Sequence, residues 1–175
     1  TDNATPVLTI YEDTMSHYLT KLFSDSIFDL QSYNINQIEY SLLNNFNLII
    51  LDELKSIPNI LASRLQEYIS TGHTLFIFPN ENIEKESYNQ FFQTVNVDFI
   101  QKWINEERQV EFINYQHPIF QSVFAKKIDN MNLPKIQGSF LITQNASSQN
   151  RDILNFSNQT PFLSEYLFES GRIFL

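Results

Sequence analysis

The chain lacks, or nearly lacks, several residue types on which enzyme chemistry often depends. Its 175 residues include no cysteine, only three glycines and eleven lysines and arginines. The absence of cysteine excludes disulfides, thiolate metal sites and a cysteine nucleophile, but it is compatible with either an oxidising or a reducing compartment. Three glycines cannot build a phosphate-binding loop, and the sequence contains no Gly-x-Ser-x-Gly motif.

The charge balance excludes other classes of partner. The formal net charge is −9, so the chain is unsuited to neutralise nucleic-acid phosphates or to lie on an anionic membrane surface. No apolar run approaches the ~20 residues that a membrane-spanning helix requires, and the chain does not open with a signal-peptide pattern. We therefore expect a soluble fragment that has no nucleic-acid partner and makes no direct membrane contact.

What the sequence does contain is enough apolar material for one folded domain. Hydrophobic residues make up 42% and aromatic residues 14% of the chain, which excludes a disordered polypeptide. A length of 175 residues predicts a single domain spanning residues 1–175. Because it begins at Thr1 without methionine and stops within a predicted strand at Leu175, we expect a piece excised from a longer protein.

The segment from Leu48 to Asn80 predicts a strand, a helix and a second strand. Leu48 to Leu51 is apolar on both faces, as is typical of a parallel strand covered by helices, so we place it centrally in a sheet. Ser56 is the predicted N-cap of the helix, and Gly72 ends it. The apolar residues with helical spacing are Ile57, Ile60, Leu61, Leu65, Tyr68 and Ile69. Thr74 to Phe78 is the next buried strand.

Further elements flank this unit. Before it, in chain order, we predict a strand, a helix, a strand nearer the sheet edge and a short helix: Val7 to Tyr11, Ser16 to Phe23, Ile27 to Tyr33, and a segment through Ile38, Leu42 and Leu43. After it we predict a helix and then alternating strands: Glu84 to Phe92, Gln109 to Ile113, Ile136 to Thr143, Asp152 to Phe156, Pro161 to Leu167 and Arg172 to Leu175. Between these strands, His117 and Pro118 open a short helical turn through Phe120, Val123 and Phe124. The predicted fold is α/β, a three-layer sandwich with a mostly parallel, flavodoxin-like sheet and a strand-rich antiparallel C-terminal extension.

Polar side chains follow the predicted strands at the edge where sheets of this kind bind ligands. Glu12 and Asp13 follow the first strand, Asp52 and Glu53 the third, and Asn80 the fourth. Several oxygen ligands at one edge could hold a hard divalent ion or a cationic small molecule. The alternative, which we favour from sequence alone, is that they are loop residues and helix caps.

Two weaker interpretations of the same residues remain. Glu12, Asp13 and Asp52 resemble the acidic pocket of phosphoacceptor receiver domains. Such domains also need a Ser or Thr ending the fourth strand and a Lys-Pro pair, which this chain lacks. Phosphorylation of Asp52 is therefore a minor variant. Asp52 or Glu53 could also act as a general base, but no partner acid or nucleophile can be named.

The histidines and the single tryptophan suggest structural roles. His17, His73 and His117 have no metal-ligand spacing. His73 follows the helix-ending glycine and His117 precedes a proline at a helix start, so turn or capping roles are expected. Trp103, with Phe99 and Ile100 nearby, is expected to pack between the two halves of the chain.

Two stretches carry a resemblance to a known family. From Leu48 the chain reads LIILDEL, SIPNILASRLQEYISTGHTLFIFP and NENIEKESYNQFF, and it closes with ILNFSNQTPFL and ESGRIFL. These stretches resemble the class I glutamine amidotransferase-like domain of BatA-type, aerotolerance-associated bacterial membrane proteins. The resemblance covers most of the chain and implies a class I glutamine amidotransferase-like sheet.

The resemblance implies a context but no reaction. In amidotransferases of this fold a cysteine on a strand-to-helix elbow attacks glutamine, and a His-x-Glu pair activates it. This chain has neither, so no catalytic residue carries over, and neither an enzymatic activity nor a cofactor is expected. Parent proteins of this kind carry membrane helices, which implies a domain on the periplasmic side of the inner membrane, tethered through its parent.

Two functions follow as expectations. The first is a non-catalytic interaction or assembly module of an envelope protein, with protein partners that include other domains of the parent chain. The second is a ligand-binding domain in which Glu12, Asp13, Asp52, Glu53 and Asn80 provide candidate contacts for a small molecule or a divalent ion.

Overall fold

A computed structural model describes residues 4–120 and 132–175. Within these residues, β1 (Thr5–Tyr11), α1 (His17–Leu22), β2 (Phe28–Asn34), β3 (Leu48–Asp52), α2 (Asn59–Ser70), β4 (Thr74–Phe78) and α3 (Lys85–Thr94) form the first half. The second half contains β5 (Phe99–Ile104), β6 (Arg108–Ile113), β7 (Lys135–Ile136), β8 (Ser139–Thr143), β9 (Asn150–Phe156), β10 (Pro161–Phe168) and β11 (Gly171–Phe174). Short 3-10 turns occupy Tyr40–Asn45 and Pro118–Phe120.

Nine strands form one sheet in the order β2-β1-β3-β4-β11-β10-β9-β6-β7. The first five strands of this order are mutually parallel, and the remaining pairings are antiparallel. The strands β5 and β8 form a separate antiparallel pair, which we call the ribbon. The α/β class with a large sheet and a parallel block, predicted from the sequence, is confirmed.

The core explains why β3 is apolar at nearly every position. It lies between β1 and β4, with Leu48 opposite Thr74 and Asp52 opposite Phe78, so it is covered on both sides and both faces. On one face, Val7 and Ile50 pack with Leu19 of α1. On the other face, α2 and α3 pack against the sheet in the larger cluster, to which they contribute Leu61, Leu65, Tyr68, Ile69, Tyr88, Phe91 and Phe92. The predicted parallel pairing of β3 with β4 is confirmed.

The start of α2 differs from the prediction. Pro58, with an extended ψ of 145°, is the N-cap in place of Ser56. The residue before a proline is disfavoured in helical conformation, so Ile57 stays outside the helix, where it is buried and donates its N–H to Ser87 Oγ at 2.9 Å. Ile60, one of the apolar residues with helical spacing, is 63% exposed and therefore does not belong to the buried face of the helix. The other end is as predicted, since Gly72 follows the helix with a positive φ of 101°.

The second half holds the main surprises. The predicted strand Ile136 to Thr143 is two strands, because β7 pairs with β6 and β8 pairs with the unpredicted β5. The break falls at Gly138, where a Cβ would lie 2.2 Å from Cζ2 of Trp103, so only glycine admits the indole ring. The predicted final strand is β11, which runs parallel to β4 and therefore belongs to the parallel block.

Other helical predictions hold in part. The short helix predicted through Ile38, Leu42 and Leu43 is the 3-10 turn Tyr40–Asn45, and the turn after His117 is also 3-10, while Val123 and Phe124 lie outside the described residues. Among residues 4–120 and 132–175, no helix has the length and apolar character needed to cross a bilayer.

Candidate functional site

The carboxylate of Asp52 holds the loop between β1 and α1. Asp52 ends β3 and is only 3% exposed. Its Oδ2 accepts the backbone N–H of Ser16 at 2.7 Å, and its Oδ1 accepts the Ser16 hydroxyl at 2.7 Å. Because Ser16 is the N-cap of α1, these bonds fix where that helix begins. Both oxygens of Asp52 are thus used within the protein, which leaves the carboxylate poorly placed to accept a phosphoryl group.

The other candidates at this edge also serve the loops. Glu12 Oε2 accepts the N–H of Lys55 at 2.8 Å, which joins the loops that follow β1 and β3. Asn80 Oδ1 accepts the N–H of Asn82 at 2.9 Å, a local turn after β4. Glu53 has a positive φ of 54° and donates its N–H to Phe78 O at 2.9 Å, while its side chain is exposed, as is that of Asp13.

The strand order places the loops after β1 and β3 at the point where the connections reverse direction, the usual ligand site in such sheets. Burial raises the pKa of the Tyr88 phenol, and the negative charges of Glu12 and Glu53 add to this rise. The Tyr88 hydroxyl donates to Leu54 O at 2.6 Å. In the described part of the chain, no group of three or more His, Asp or Glu side chains is placed to hold a metal ion. The polar side chains at this edge of the sheet therefore hold the loops in place.

A cavity of about 270 Å³ opens at the same edge of the sheet, beside β4. It lies between the last residues of β4, the first residues of β10 and the ribbon. Its wall is mainly apolar and includes the aromatic rings of Phe76, Phe78, Trp103, Phe140, Phe156, Phe162 and Tyr166. The sequence did not indicate this cavity. The ribbon covers it, and the first strand of the ribbon, β5, was not predicted from loop length or strand periodicity.

A second hollow of similar volume adjoins the cavity and shares Phe140, Ile142 and Pro161 with it. Its wall combines polar and apolar residues and includes Asp98, which is buried and directly precedes β5. Asp98 accepts hydrogen bonds from Asn145 N, the Ser148 hydroxyl and the Tyr166 hydroxyl at 2.9, 2.6 and 3.3 Å. Burial and the neighbouring Asp98 charge raise the pKa of Tyr166. This network anchors the ribbon to the sheet.

A buried ion-pair cluster lies on β10. Glu165 is fully buried, and its Oε2 lies 2.6 Å from Nε2 of His117 and 3.0 Å from Nη2 of Arg151. Nδ1 of His117 accepts the N–H of Ile119 at 3.2 Å, so Nε2 carries the proton that is donated to Glu165. Oε1 lies 3.7 Å from Nε of Arg172, too far for a hydrogen bond, and has no hydrogen-bond partner among residues 4–120 and 132–175.

The sequence predicted a turn role for His117 but did not single out Glu165. The available signal was a glutamate inside the apolar strand PFLSEYLF, since a charge in such a strand needs partners. The other histidines contribute no pair of this kind. His73 stacks on Tyr68 with ring centroids 4.4 Å apart, and His17 is exposed at the start of α1. Trp103 lies in the ribbon with its ring edge-on to Phe140 at 4.9 Å.

At the level of sequence, no protein-family model and no curated protein matches this chain. Its structure is similar to several solved ones. A putative ThuA-like protein from Bacteroides uniformis has a TM-score of 0.67 at 12% identity, covering 99% of this chain and 82% of that one. The exo-β-1,4-mannosidase Op5Man5 from Opitutaceae bacterium strain TAV5 has a TM-score of 0.63 at 9% identity. The GH42 β-galactosidase Gan42B from G. stearothermophilus, as its E323A mutant, has a TM-score of 0.65 at 11% identity.

Coverage differs among these proteins. This chain is covered to 99% in both glycosidase comparisons but spans only 31% and 27% of their lengths. At such low identities the likeness shows the fold alone.

Proposed function

We propose that this domain is a non-catalytic interaction module that serves assembly within a membrane-anchored bacterial envelope protein. The observation that carries the proposal is the use made of the carboxylates at the ligand edge of the sheet. The Asp52 carboxylate accepts two hydrogen bonds from Ser16, and the Glu12 carboxylate accepts the backbone N–H of Lys55. Side chains that brace loops in this way hold a surface in shape and supply no free acid, base or nucleophile.

The proposed scaffold is that of class I glutamine amidotransferases, a three-layer sandwich with a strand-rich antiparallel extension. The order β2-β1-β3-β4 supports it, because the first four strands of flavodoxin-like sheets have the same order. Helices on both faces of β3 support the layered arrangement. The glycosidases support a role as one module of a longer protein, since a similar fold occupies about a third of their chains.

The absence of the amidotransferase nucleophile supports a non-catalytic role. The chain has no cysteine, and its buried His117 and Glu165 are 48 residues apart in sequence, unlike a His-x-Glu pair. In the proposal these two residues form a structural hydrogen bond, because His117 donates its Nε2 proton to the Glu165 carboxylate inside the protein.

The proposed location is the periplasmic side of the inner membrane, with the domain tethered through membrane helices of its parent. Other domains of the parent are the proposed partners. The net charge of −9 disfavours nucleic acid.

The test of the non-catalytic role is ammonia release from glutamine by the purified domain, with an active amidotransferase as positive control. We expect release at the rate of the buffer blank. Saturable glutamine hydrolysis would remove the proposal. The parent gene gives a second check, because it should encode membrane helices.

One observation favours the alternative of a small-ligand-binding domain, namely the aromatic cavity beside β4. The divalent-ion form of this alternative gains no such support from the residues that the structure describes.

A further inference from the structure

We propose that the second hollow binds a small primary ammonium compound through the carboxylates of Asp98 and Asp152. The inference goes beyond the interaction role and does not depend on it. The domain could bind its parent without holding a cation here, and the reverse is equally true.

The second hollow lies between the antiparallel part of the sheet and the ribbon. It has a volume of about 270 Å³, and its wall takes residues from β6, β8 and β9 and from the turn that leads into β10. Strand β9 carries Asp152 and lies between β10 and β6, so it is paired on both sides. Asp98 directly precedes β5 of the ribbon. The two carboxylates thus face the hollow from separate elements.

Two positions on one face of β10 hold these carboxylates. Ser164 donates its hydroxyl to Oδ1 of Asp152 at 2.9 Å, and Tyr166 donates its hydroxyl to Oδ2 of Asp98 at 3.3 Å. Because residues two apart in a strand point to the same side of the sheet, Asp98 and Asp152 meet the same face of β10. Burial and the negative charges of Asp98 and Asp152 raise the pKa of Tyr166. Two negative charges are therefore concentrated in one small region.

Neither carboxylate forms an ion pair with a lysine, arginine or histidine in the part of the chain that the structure describes. Asp98 is only 4% exposed, and its three hydrogen bonds come from a backbone amide and two hydroxyls. The two hydrogen bonds to Asp152 come from a hydroxyl and a side-chain amide. Buried charges in proteins are paired as a rule. A cation in the hollow would supply the partner that Asp98 lacks.

The arginine in the wall does not supply this charge. Nη2 of Arg108 lies 3.3 Å from Oε2 of Glu106, and its Cζ lies 5.6 Å from the centroid of the Phe156 ring. Because Glu106 already compensates the guanidinium, the two carboxylates leave the wall with an excess of negative charge. An anionic ligand would be repelled by this excess, so the wall selects a cation.

A primary ammonium matches the free acceptor sites of the two carboxylates. A carboxylate offers roughly four lone-pair sites, and hydrogen bonds within the protein use three at Asp98 and two at Asp152. A primary ammonium donates through each of its N–H bonds and can bridge two carboxylates, whereas a quaternary ammonium has no donor. The apolar part of the wall, from Phe140, Ile142 and Pro161, suits a short alkyl chain.

The probe is butylammonium, and its neutral analogue is n-butanol. We would follow the backbone amide signals of Leu141 and Asn150, which line the hollow, in proton–nitrogen correlation spectra of the ¹⁵N-labelled protein. Sodium chloride keeps the ionic strength constant throughout the titration. We expect a saturable shift with butylammonium. The apparent Kd of n-butanol should be at least about tenfold higher, because hydrogen bonds to a carboxylate from a charged donor are stronger than those from a neutral one.

Matched variants locate the binding. Asp152→Asn removes one carboxylate from the hollow, whereas Asp29→Asn makes the same exchange at an exposed residue of β2, at the far edge of the sheet. Both variants change the net charge equally, so the pair separates a local effect from the overall charge. We expect Asp152→Asn to weaken butylammonium binding at least about tenfold and Asp29→Asn to leave it unchanged.

A second pair serves if Asp152→Asn disturbs the fold, as judged by the rest of the spectrum. Gln144 is exposed and lines the hollow, so Gln144→Lys brings a competing ammonium to the carboxylates. Gln149→Lys adds the same charge at an exposed residue outside the described lining. We expect Gln144→Lys to weaken butylammonium binding at least about tenfold and Gln149→Lys to leave it unchanged.

Three results would overturn the inference. They are no saturable shift at millimolar butylammonium, equal binding of n-butanol, and equal effects of the two members of a variant pair.

Discussion

Removal of the charge on Glu165 gives the sharpest test of how the second half is held to the sheet. Glu165→Gln keeps the size and shape of the side chain but replaces a fully buried carboxylate by a neutral amide. The carboxylate accepts the proton of His117 Nε2 at 2.6 Å and faces Arg151 at 3.0 Å and Arg172 at 3.7 Å. The substitution therefore tests a buried charge with three basic partners.

The expected loss can be estimated from the exposure of each partner. A hydrogen bond to a charged group contributes about 1.5–3 kcal/mol, and the bond to the buried His117 should have nearly its full value. The side chains of Arg151 and Arg172 are 44% and 57% exposed, so solvent screens them and each adds about 0–1 kcal/mol. We expect Glu165→Gln to lower the free energy of unfolding by about 3 kcal/mol. For a domain of this size that corresponds to a fall in Tm of roughly 6–12 °C.

The assay is urea unfolding followed by circular dichroism, with Glu111→Gln as the matched control. Glu111 is an exposed glutamate on β6, and its substitution should change stability by no more than about 0.5 kcal/mol. A double-mutant cycle of Glu165→Gln with His117→Ala should give a coupling energy of about 1–3 kcal/mol. A loss below about 1 kcal/mol for Glu165→Gln, or additive single variants, would refute the reasoning.

Three further predictions concern other parts of the fold. Asp52→Asn should lower the free energy of unfolding by about 1–3 kcal/mol, because an amide replaces the charged acceptor of both hydrogen bonds from Ser16. Millimolar Mg²⁺ should leave the Tm of the wild-type protein unchanged. A rise in Tm with Mg²⁺ that Asp52→Asn abolishes would instead support the ion-binding alternative. Gly138→Ala should cost about 1–3 kcal/mol and shift the fluorescence of Trp103, since the added Cβ would lie 2.2 Å from the indole; an unchanged Tm would contradict the close packing. Burial raises the pKa of three tyrosines, Tyr68, Tyr88 and Tyr166, above the ordinary value of 10.0. The unfolded chain therefore loses these protons first, and the stability that the protonated tyrosines contribute, complete below about pH 10, should fall as the pH rises further. Urea unfolding between about pH 9 and 11 tests this, with a shallower fall expected for Tyr166→Phe.

The parallel half was open to prediction because its signals are local. Leu48 to Leu51 is apolar on both faces, and a strand of that kind has few alternatives to the middle of a parallel sheet. Gly72 marks the end of α2 through its positive φ. The predicted N-cap at Ser56 was wrong, because Pro58 disfavours a helical conformation of Ile57, the residue before it. This restriction outweighs the preference for serine at N-caps.

The second half was harder because its pairings are distant in sequence. The segment from Arg172 to Leu175 has the pattern of one more strand after a hairpin. No feature of the neighbouring sequence indicates that Arg172 lies beside Thr74. The segment from Ile136 to Thr143 alternates like a single strand, and only the contact of Gly138 with Trp103 divides it.

The candidate site shows the same contrast. Placing Asp52 at the end of a buried strand required only the order of elements, but its hydrogen bonds to Ser16 join segments that are distant in sequence and were not predicted. The cavity could not be foreseen, since its wall combines β4, β10 and a ribbon whose first strand, Phe99–Ile104, was not predicted. The partners of Glu165 come from three separate segments, which sequence spacing does not bring together.

The proposed role as an interaction module is tested most directly by calorimetric titration of the purified domain with the remaining, separately expressed part of its parent protein. The account predicts saturable binding of one domain per parent chain, with the folded state of both components verified beforehand. A titration without binding heat, when both components are folded, would contradict it.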